Sequence, residues 1–277
     1  MFRTQVPGDF LIGNPQAATE VALDYLALLQ SELETRGLDY RVAAITTGTD
    51  VEVPSSRGVD IRLTNRDVIL ARGDVDITNS QGGNYAVNLE VPVGGTGGLS
   101  ITFLRGWASV DATIEGQVIR LVSTHLEREA DAPIQALQAL ELQQIVNGSP
   151  HPVVLVGDFN SRADGSGTNT YRLLVEGGFE DAWSQANPGE DRYTCCHADH
   201  LLNPAAEFNQ RIDLILVQDA LAAMEAQVVG ASPAGRTASG LWSSDHAGVV
   251  ARLSMGATPV LQEHAVNLPH SEFPYGL

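Results

Sequence analysis

Lysine is missing from this sequence altogether, so all sixteen basic side chains are arginine, set against 34 acidic ones for a net charge of −18 over 277 residues. That balance weighs against tight, non-specific binding to a polyphosphate, which depends on clustered cations. Any phosphate clamp has to come from arginine, asparagine, histidine or a metal. Cysteine is nearly missing too. The two present, Cys195 and Cys196, are adjacent, which excludes a disulfide scaffold and a four-cysteine zinc site. No run of ~18 apolar residues occurs, so no helix is expected to cross a bilayer. A basic, apolar leader is also lacking where Met1-Phe2-Arg3-Thr4 opens the chain, so the compartment stays open, with secretion requiring a signal upstream. What is present is a hydrophobic share of 43% with only 18% charged residues, which excludes a disordered acidic chain and suits one large domain.

Hydrophobic spacing predicts a helix over Thr19 to Arg36, stopped by Gly37. Short strands are expected at Tyr40–Thr46, Val59–Leu63, Asp67–Ala71, Tyr85–Val91 and Leu99–Phe103. Gly82-Gly83 and the cluster Gly94 to Gly98 read as turns, and the cluster lacks the spacing of a phosphate-binding loop. Trp107–Ile114 and Val118–Thr124 flank Glu115-Gly116-Gln117 as a hairpin. A helix bearing Ile134, Leu137, Leu140, Leu142 and Ile145 follows. Pro152–Val156, Ile212–Val217 and Ala247–Leu253 read as strands buried on both faces. Periodicity fades after about Gly256. Many strands with few helices point to sheet packed on sheet, helices outside.

Four polar clusters follow or end buried strands: Ser123 to Glu127, Gly157 to Asn160, Arg211 to Asp213, and Ser244 to His246. Strand ends hold side chains rigidly toward a shared cleft. The groups offered are imidazoles, carboxylates and an amide. Carboxylate and amide oxygens suit a hard divalent cation, and imidazoles suit proton transfer near neutral pH. Together they fit metal-assisted attack of water on a phosphate ester. Taken singly, His125 could be an ordinary histidine at a strand end, and Asp158 with Asn160 an Asx-type turn.

In order, Thr124-His125-Leu126-Glu127, Gly157-Asp158-Phe159-Asn160, Arg211-Ile212-Asp213 and Ser244-Asp245-His246 resemble the signatures of the endonuclease/exonuclease/phosphatase superfamily, which has the fold of deoxyribonuclease I. The likeness runs loosely from about residue 18 to 253 and is specific from Val118 onward. It implies an α+β fold, a two-layer β-sandwich flanked by helices, N-terminally incomplete, with a domain over residues 1–255 and a tail over 256–277. It also implies roles. His246 would be the general base, and Asp213 would orient and charge-stabilise it. Asp158 would position the water or a metal, Asn160 would bond a phosphoryl oxygen, and Asp245 would join the metal site. His125 would stabilise charge on the phosphate or assist the leaving group. The cofactor implied is Mg²⁺ or Mn²⁺. Arg211 is favoured as a structural ion pair, while Arg105 and Arg72 are candidate phosphate contacts or solvated surface residues.

The chain departs from that pattern at its start. Superfamily members open on a strand carrying an asparagine, and a second strand ends in a Leu-Gln-Glu-like motif whose glutamate is a principal metal ligand. Neither precedes the first helix here, and Gln30-Ser31-Glu32 sits within that helix. The missing pieces are expected just upstream of Met1, unless another residue supplies the ligand. Their loss would expose strand edges and apolar surface, so a compromised site, or compensation by the tail or a second chain, is expected. Cys195, Cys196, His197, Asp199 and His200 crowd together as zinc ligands can. Adjacent cysteines chelate poorly in one tetrahedral site, however, and a packed or substrate-rim loop is the favoured reading. Asp74-x-Asp76 lacks the glycine and glutamate of a calcium loop. The leading expectation is a metal-dependent phosphoesterase acting on a small or lipid-linked phosphoester. The alternatives are a nuclease of the same superfamily, or a non-catalytic binding domain that keeps the fold.

Overall fold

Alternation along the apolar strands builds one central sheet with two buried faces. The computed structural model describes residues 1–11, 16–93 and 99–256. In chain order the first half comprises β1 (Phe2–Gln5), β2 (Glu20–Leu23), α1 (Tyr25–Thr35), β3 (Tyr40–Pro54), β4 (Asp60–Arg72), β5 (Asp76–Asn84), β6 (Leu89–Val93), β7 (Leu99–Phe103), β8 (Gly106–Ile114) and β9 (Gln117–His125). The second comprises α2 (Ala132–Val146), β10 (Val153–Asp158), α3 (Thr170–Glu176), β11 (Glu180–Asp181), α4 (Ala182–Ala186), β12 (Asp213–Val217), β13 (Leu221–Val229) and β14 (Gly248–Met255). Six strands form the central sheet in the order β11-β12-β10-β9-β8-β5. β9 and β10 run parallel, while the other pairs are antiparallel.

Period-two alternation assigns the faces. Val122, Val153, Leu155, Leu214 and Leu216 pack under α2 and α3 through Leu142, Val146 and Leu174. Ile119, Val154 and Val217, with Leu121 and Ile215, face the other way, onto Leu221, Ala251 and Leu253 of the β13–β14 hairpin. The rest of that second layer is a four-stranded sheet, β2-β1-β4-β3, whose Ala44 and Ile69 meet Ala108 and Val110. The expected hairpin is present: Glu115 and Gly116 have φ of 51° and 79°, the left-handed pair a two-residue turn requires.

Several expectations are corrected. The helix predicted from Thr19 begins only at Tyr25, because Asp24 caps it by accepting from the Leu26 and Ala27 amides at 3.1 and 3.4 Å, and Glu20–Leu23 pairs as a strand instead. Gly37, at φ +69°, ends it as predicted. Val59–Leu63 and Asp67–Ala71 are halves of a single long β4. Gly82-Gly83 is no turn but lies within β5, where a Cβ on Gly82 would stand 2.0 Å from the Thr46 hydroxyl of β3. β14 is half-exposed rather than buried on both faces. The Gly94–Gly98 cluster and residues 257–277 lie outside the described residues.

On its β1 side, β4 is paired only from Asp60 to Thr64, so the stretch beyond has no strand there among the described residues, and neither has the outer edge of β14. An apolar groove of about 350 Å³, lined by Ile69, Leu70, Ile77, Val110, Ile114 and Leu121, opens between β4 and the central sheet.

Candidate active site

Strand register places the site. Asp158, at the end of β10, is opposite His125 at the end of β9 on one side and Asp213 at the start of β12 on the other. Residues opposite one another across adjacent strands point to the same face, so three chemistry-bearing side chains emerge in a row at one end of the sheet. Gly157 makes this possible. Its φ is +141°, and an added Cβ would lie 1.9 Å from the Thr124 carbonyl oxygen, so only glycine lets β10 and β9 approach here.

The loop before β14 brings His246 over this row. Its Nδ1 lies 2.9 Å from Asp213 Oδ2, a carboxylate-oriented imidazole. Backbone pairing fixes that loop: the Ala247 amide donates to the Thr194 carbonyl at 2.7 Å and the His197 amide to the Asp245 carbonyl at 2.8 Å. The buried Thr194 hydroxyl oxygen accepts from the Ile212 and Asp213 amides at 3.2 and 3.3 Å, so one residue registers both members of the pair. From below, the buried Gln135 of α2 donates to the carbonyls of Glu127 and Asn160 at 2.6 and 2.7 Å, joining two of the motif loops.

Electrostatics set the groups apart. The hydrogen bond that the His246 Nδ1–H donates to Asp213, aided by the charges of Asp213, Asp158 and Asp245, raises the imidazole to about 9 against opposing burial. Burial first, then the facing Asp213 carboxylate, pushes Asp158 up to about 6. Burial, the Arg105 guanidinium and His246 hold His125 down at about 3. His125 is therefore neutral near pH 7, and its 3.4 Å contact with Asp158 is not an ion pair.

The facing carboxylates of Asp158 and Asp213 are the groups here that could hold a cation, with the His246 imidazole beside them. Ligand atoms of Asp158, Asp213 and His246 all lie within 4.8 Å of one another. Asp158 is raised chiefly by burial and then by the Asp213 charge, both of which a bound cation would offset. An oxygen-rich set with one imidazole fits Mg²⁺ or Mn²⁺. Asp245 does not join that group: its side chain is exposed and accepts from the Ser244 hydroxyl at 3.4 Å. Asn160 turns back at φ 50°; its amide N–H bonds Asp158 and its side-chain NH₂ donates to the Leu126 carbonyl at 2.9 Å. The Asx-type turn is thus real, and one side-chain N–H remains for a ligand.

Sequence reasoning underweighted Arg105. Its Nη1 stands 2.9 Å from His125 Nε2, and its Nη2 stands 3.2 Å from the buried Glu127 carboxylate, which anchors it. Asp67 of β4, pushed up to about 6 by burial and opposed by Arg105, was missed as well. The pairs join residues far apart in sequence, and only the strand-end pattern around Arg105 hinted at a site. Arg211 bonds the buried Asp181 at 2.7 Å, the structural pair expected. Arg72 pairs with Asp74 on the surface, away from this row.

A profile described as the Endonuclease/Exonuclease/phosphatase family matches residues 61–246. Solved structures agree on the fold. A family protein from Leptotrichia buccalis is 18% identical, with 91% of this chain and 85% of that one covered at a TM-score of 0.55. Humanized D. rerio TDP2 is 20% identical over 83% and 82%, at 0.54. D. rerio TDP2 complexed with a single-strand DNA product is 17% identical over 83% and 91%, at 0.52. No curated protein matches the sequence.

Proposed function

The chain belongs to the Endonuclease/Exonuclease/phosphatase family, whose members are metal-dependent nucleases and phosphoesterases, and from that premise we propose that it hydrolyses a phosphoester by general-base activation of water. The observation that carries this reading is the His246–Asp213 pair standing over Asp158 in strand register. His246 Nε2 takes the proton of the attacking water, and Asp213 holds the ring so that Nδ1 keeps its hydrogen. A divalent cation held by Asp158 and Asp213 would offset the repulsion between these carboxylates and the substrate and polarise the phosphoryl oxygen. It would also relieve the negative field that keeps His246 protonated. Asn160 donates its free side-chain N–H to a phosphoryl oxygen. Neutral His125 and cationic Arg105 serve as hydrogen-bond donors to the charge developing on the phosphate and leaving oxygen. Held at about 3, His125 is a stabiliser of that charge rather than a proton carrier.

The acidic surface supports a small phosphoester, because among the described residues Arg105 is the one guanidinium standing against the row. A second reading, nuclease activity, is favoured by the similar fold that holds a single-strand DNA product. Hydrolysis of a nitrophenyl phosphodiester with Mg²⁺ or Mn²⁺, compared with nicking of plasmid DNA, separates the two. Turnover of the diester should vanish with chelator and fall about 10²- to 10⁴-fold in His246→Ala. Robust DNA nicking lost in the same variant would establish the second reading. Absence of both turnover and calorimetric cation binding would leave a fold-keeping, non-catalytic domain.

A further inference from the structure

Nδ1 of His246 is committed to Asp213, so its second ring nitrogen carries the chemistry. That nitrogen faces sulfur. Cys196 Sγ lies 3.7 Å from His246 Nε2, and ligand atoms of Cys195, Cys196 and His246 all fall within 4.8 Å of one another. The arrangement is built by backbone rather than by chance rotamers: Cys195 bridges both Gln210 and His246, with the pairing of Thr194 and His197 to Ala247 and Asp245 on either side. Cys195 is buried and Cys196 is exposed, so the outer sulfur is open to solvent while its neighbour anchors the loop.

Ligand geometry identifies the occupant's class. A tetrahedral zinc ion with bonds of roughly 2.3 Å to sulfur and 2.0–2.1 Å to nitrogen holds those two atoms about 3.6 Å apart. The sulfur and nitrogen here already stand at nearly that separation. The Asp213 carboxylate on Nδ1 is the outer partner that metal-bound histidines usually have, and it holds the ring so that loss of the Nε2 proton presents a lone pair to the sulfur side. Mg²⁺, which takes oxygen ligands, gains nothing from a thiolate, so the two cation classes sort to opposite sides of one imidazole.

We propose that Cys196, when reduced, forms with His246 a site for a borderline-soft divalent cation of the zinc type, with Cys195 anchoring the loop, and that binding there withdraws the general base and shuts off hydrolysis. The binding half stands on the geometry alone, and the inhibitory half rests on the phosphoesterase reading. Redox state gates the site. Cys195 and Cys196 are joined in the structure, and a disulfide offers no thiolate. A dithiol reductant supplies two electrons and two protons, breaking the S–S bond to give two thiols while itself closing to a cyclic disulfide. Binding the cation then releases the Cys196 thiol proton and the His246 Nε2 proton to solvent.

The test uses the full chain, reduced with a dithiol, freed of reductant without air, and titrated with Co²⁺ as a spectroscopic probe. A thiolate-to-cobalt charge-transfer band is expected, lost in Cys196→Ser and after reoxidation, and displaced by stoichiometric Zn²⁺. With excess Mg²⁺, Zn²⁺ should inhibit reduced wild-type protein at a concentration at least tenfold lower than it inhibits Cys196→Ser, whose basal turnover is retained. Cys196→Ala repeats the comparison should the serine variant misfold. No charge-transfer band in a chain whose thiols titrate as free, or equal zinc sensitivity in wild type and variant, overturns the proposal. If no phosphoester is hydrolysed at all, the functional reading fails while the band still decides whether the metal site exists.

Discussion

His246 and Asp158 are displaced from their ordinary proton affinities in the same direction and for opposite reasons, and each displacement has a measurable consequence. His246 gains its proton affinity from Asp213, so folding is favoured wherever the imidazole is charged in the folded state. The sign follows: the contribution is complete below the ordinary value of 6.5 and is lost as pH rises through about 9. The gap amounts to roughly 3 kcal/mol at its full extent. In urea unfolding of the metal-free protein, Asp213→Asn should therefore cost roughly 2–3 kcal/mol near pH 6 and little above pH 10. In the variant, the His246 ring protons should titrate closer to 6.5 by NMR. A cost independent of pH would show that Asp213 acts through packing instead. Asp158 owes its rise to burial and to Asp213, and its proton competes with a cation. Mn²⁺ affinity measured by calorimetry should fall about tenfold per pH unit below pH 6, where one proton must be displaced, and level off above it. A flat profile would remove Asp158 from the metal site.

Gly157 shows what a strand contributes that its residues alone do not. A Cβ there would penetrate the Thr124 carbonyl of a parallel neighbour, a backbone atom that cannot move aside. Gly157→Ala is expected to destabilise the fold by more than ~3 kcal/mol in urea unfolding. It should also weaken Mn²⁺ binding, because a strand pushed off β9 shifts Asp158, the carboxylate at its end. Gly116→Ala is the control. It too has positive φ, at +79°, but a Cβ there meets nothing within 4 Å, so about 1 kcal/mol is expected. A similar cost at both positions would mean that conformation, not contact, explains Gly157. The strands carrying His125, Asp158 and Asp213 were legible in the sequence because burial on two faces leaves continuous apolar runs ending abruptly in polar residues. Helix α1 was legible as a period but not in its start, because its apolar side chains Tyr25, Leu28 and Leu29 stay 61%, 51% and 47% exposed and no burial sharpens the boundary. Gly82-Gly83 misled, since close packing against Thr46 and a turn both demand glycine. The links from Arg105 to Glu127, from Thr194 to Asp213 and from Cys196 to His246 left no local trace, because tertiary pairing alone brings those partners together.

Charge and apolar surface oppose each other across the whole molecule. A net charge of −18 repels a second copy, whereas the groove lined by Ile69, Leu70, Val110 and Ile114, beside the β4 edge that has no strand on its β1 side among the described residues, attracts apolar surface. Repulsion between exposed charges shrinks as the screening length falls from roughly 20 Å at low salt to a few ångströms near 1 M, while burial of apolar area does not weaken. The weight-average mass in sedimentation equilibrium is therefore expected to rise with ionic strength. Ile114→Glu should hold it at the monomer value, and because Ile114 is 40% exposed the variant should keep its fold. Binding to a polyphosphate has the opposite sign, since counterions released from nucleic acid make affinity fall steeply as salt rises. One ionic-strength series thus reports on both partners: association that strengthens with salt and vanishes in Ile114→Glu locates the groove as the self-contact, whereas salt-weakened retention of single-stranded DNA would mean that the local positive field at Arg105 and His246 outweighs the global charge.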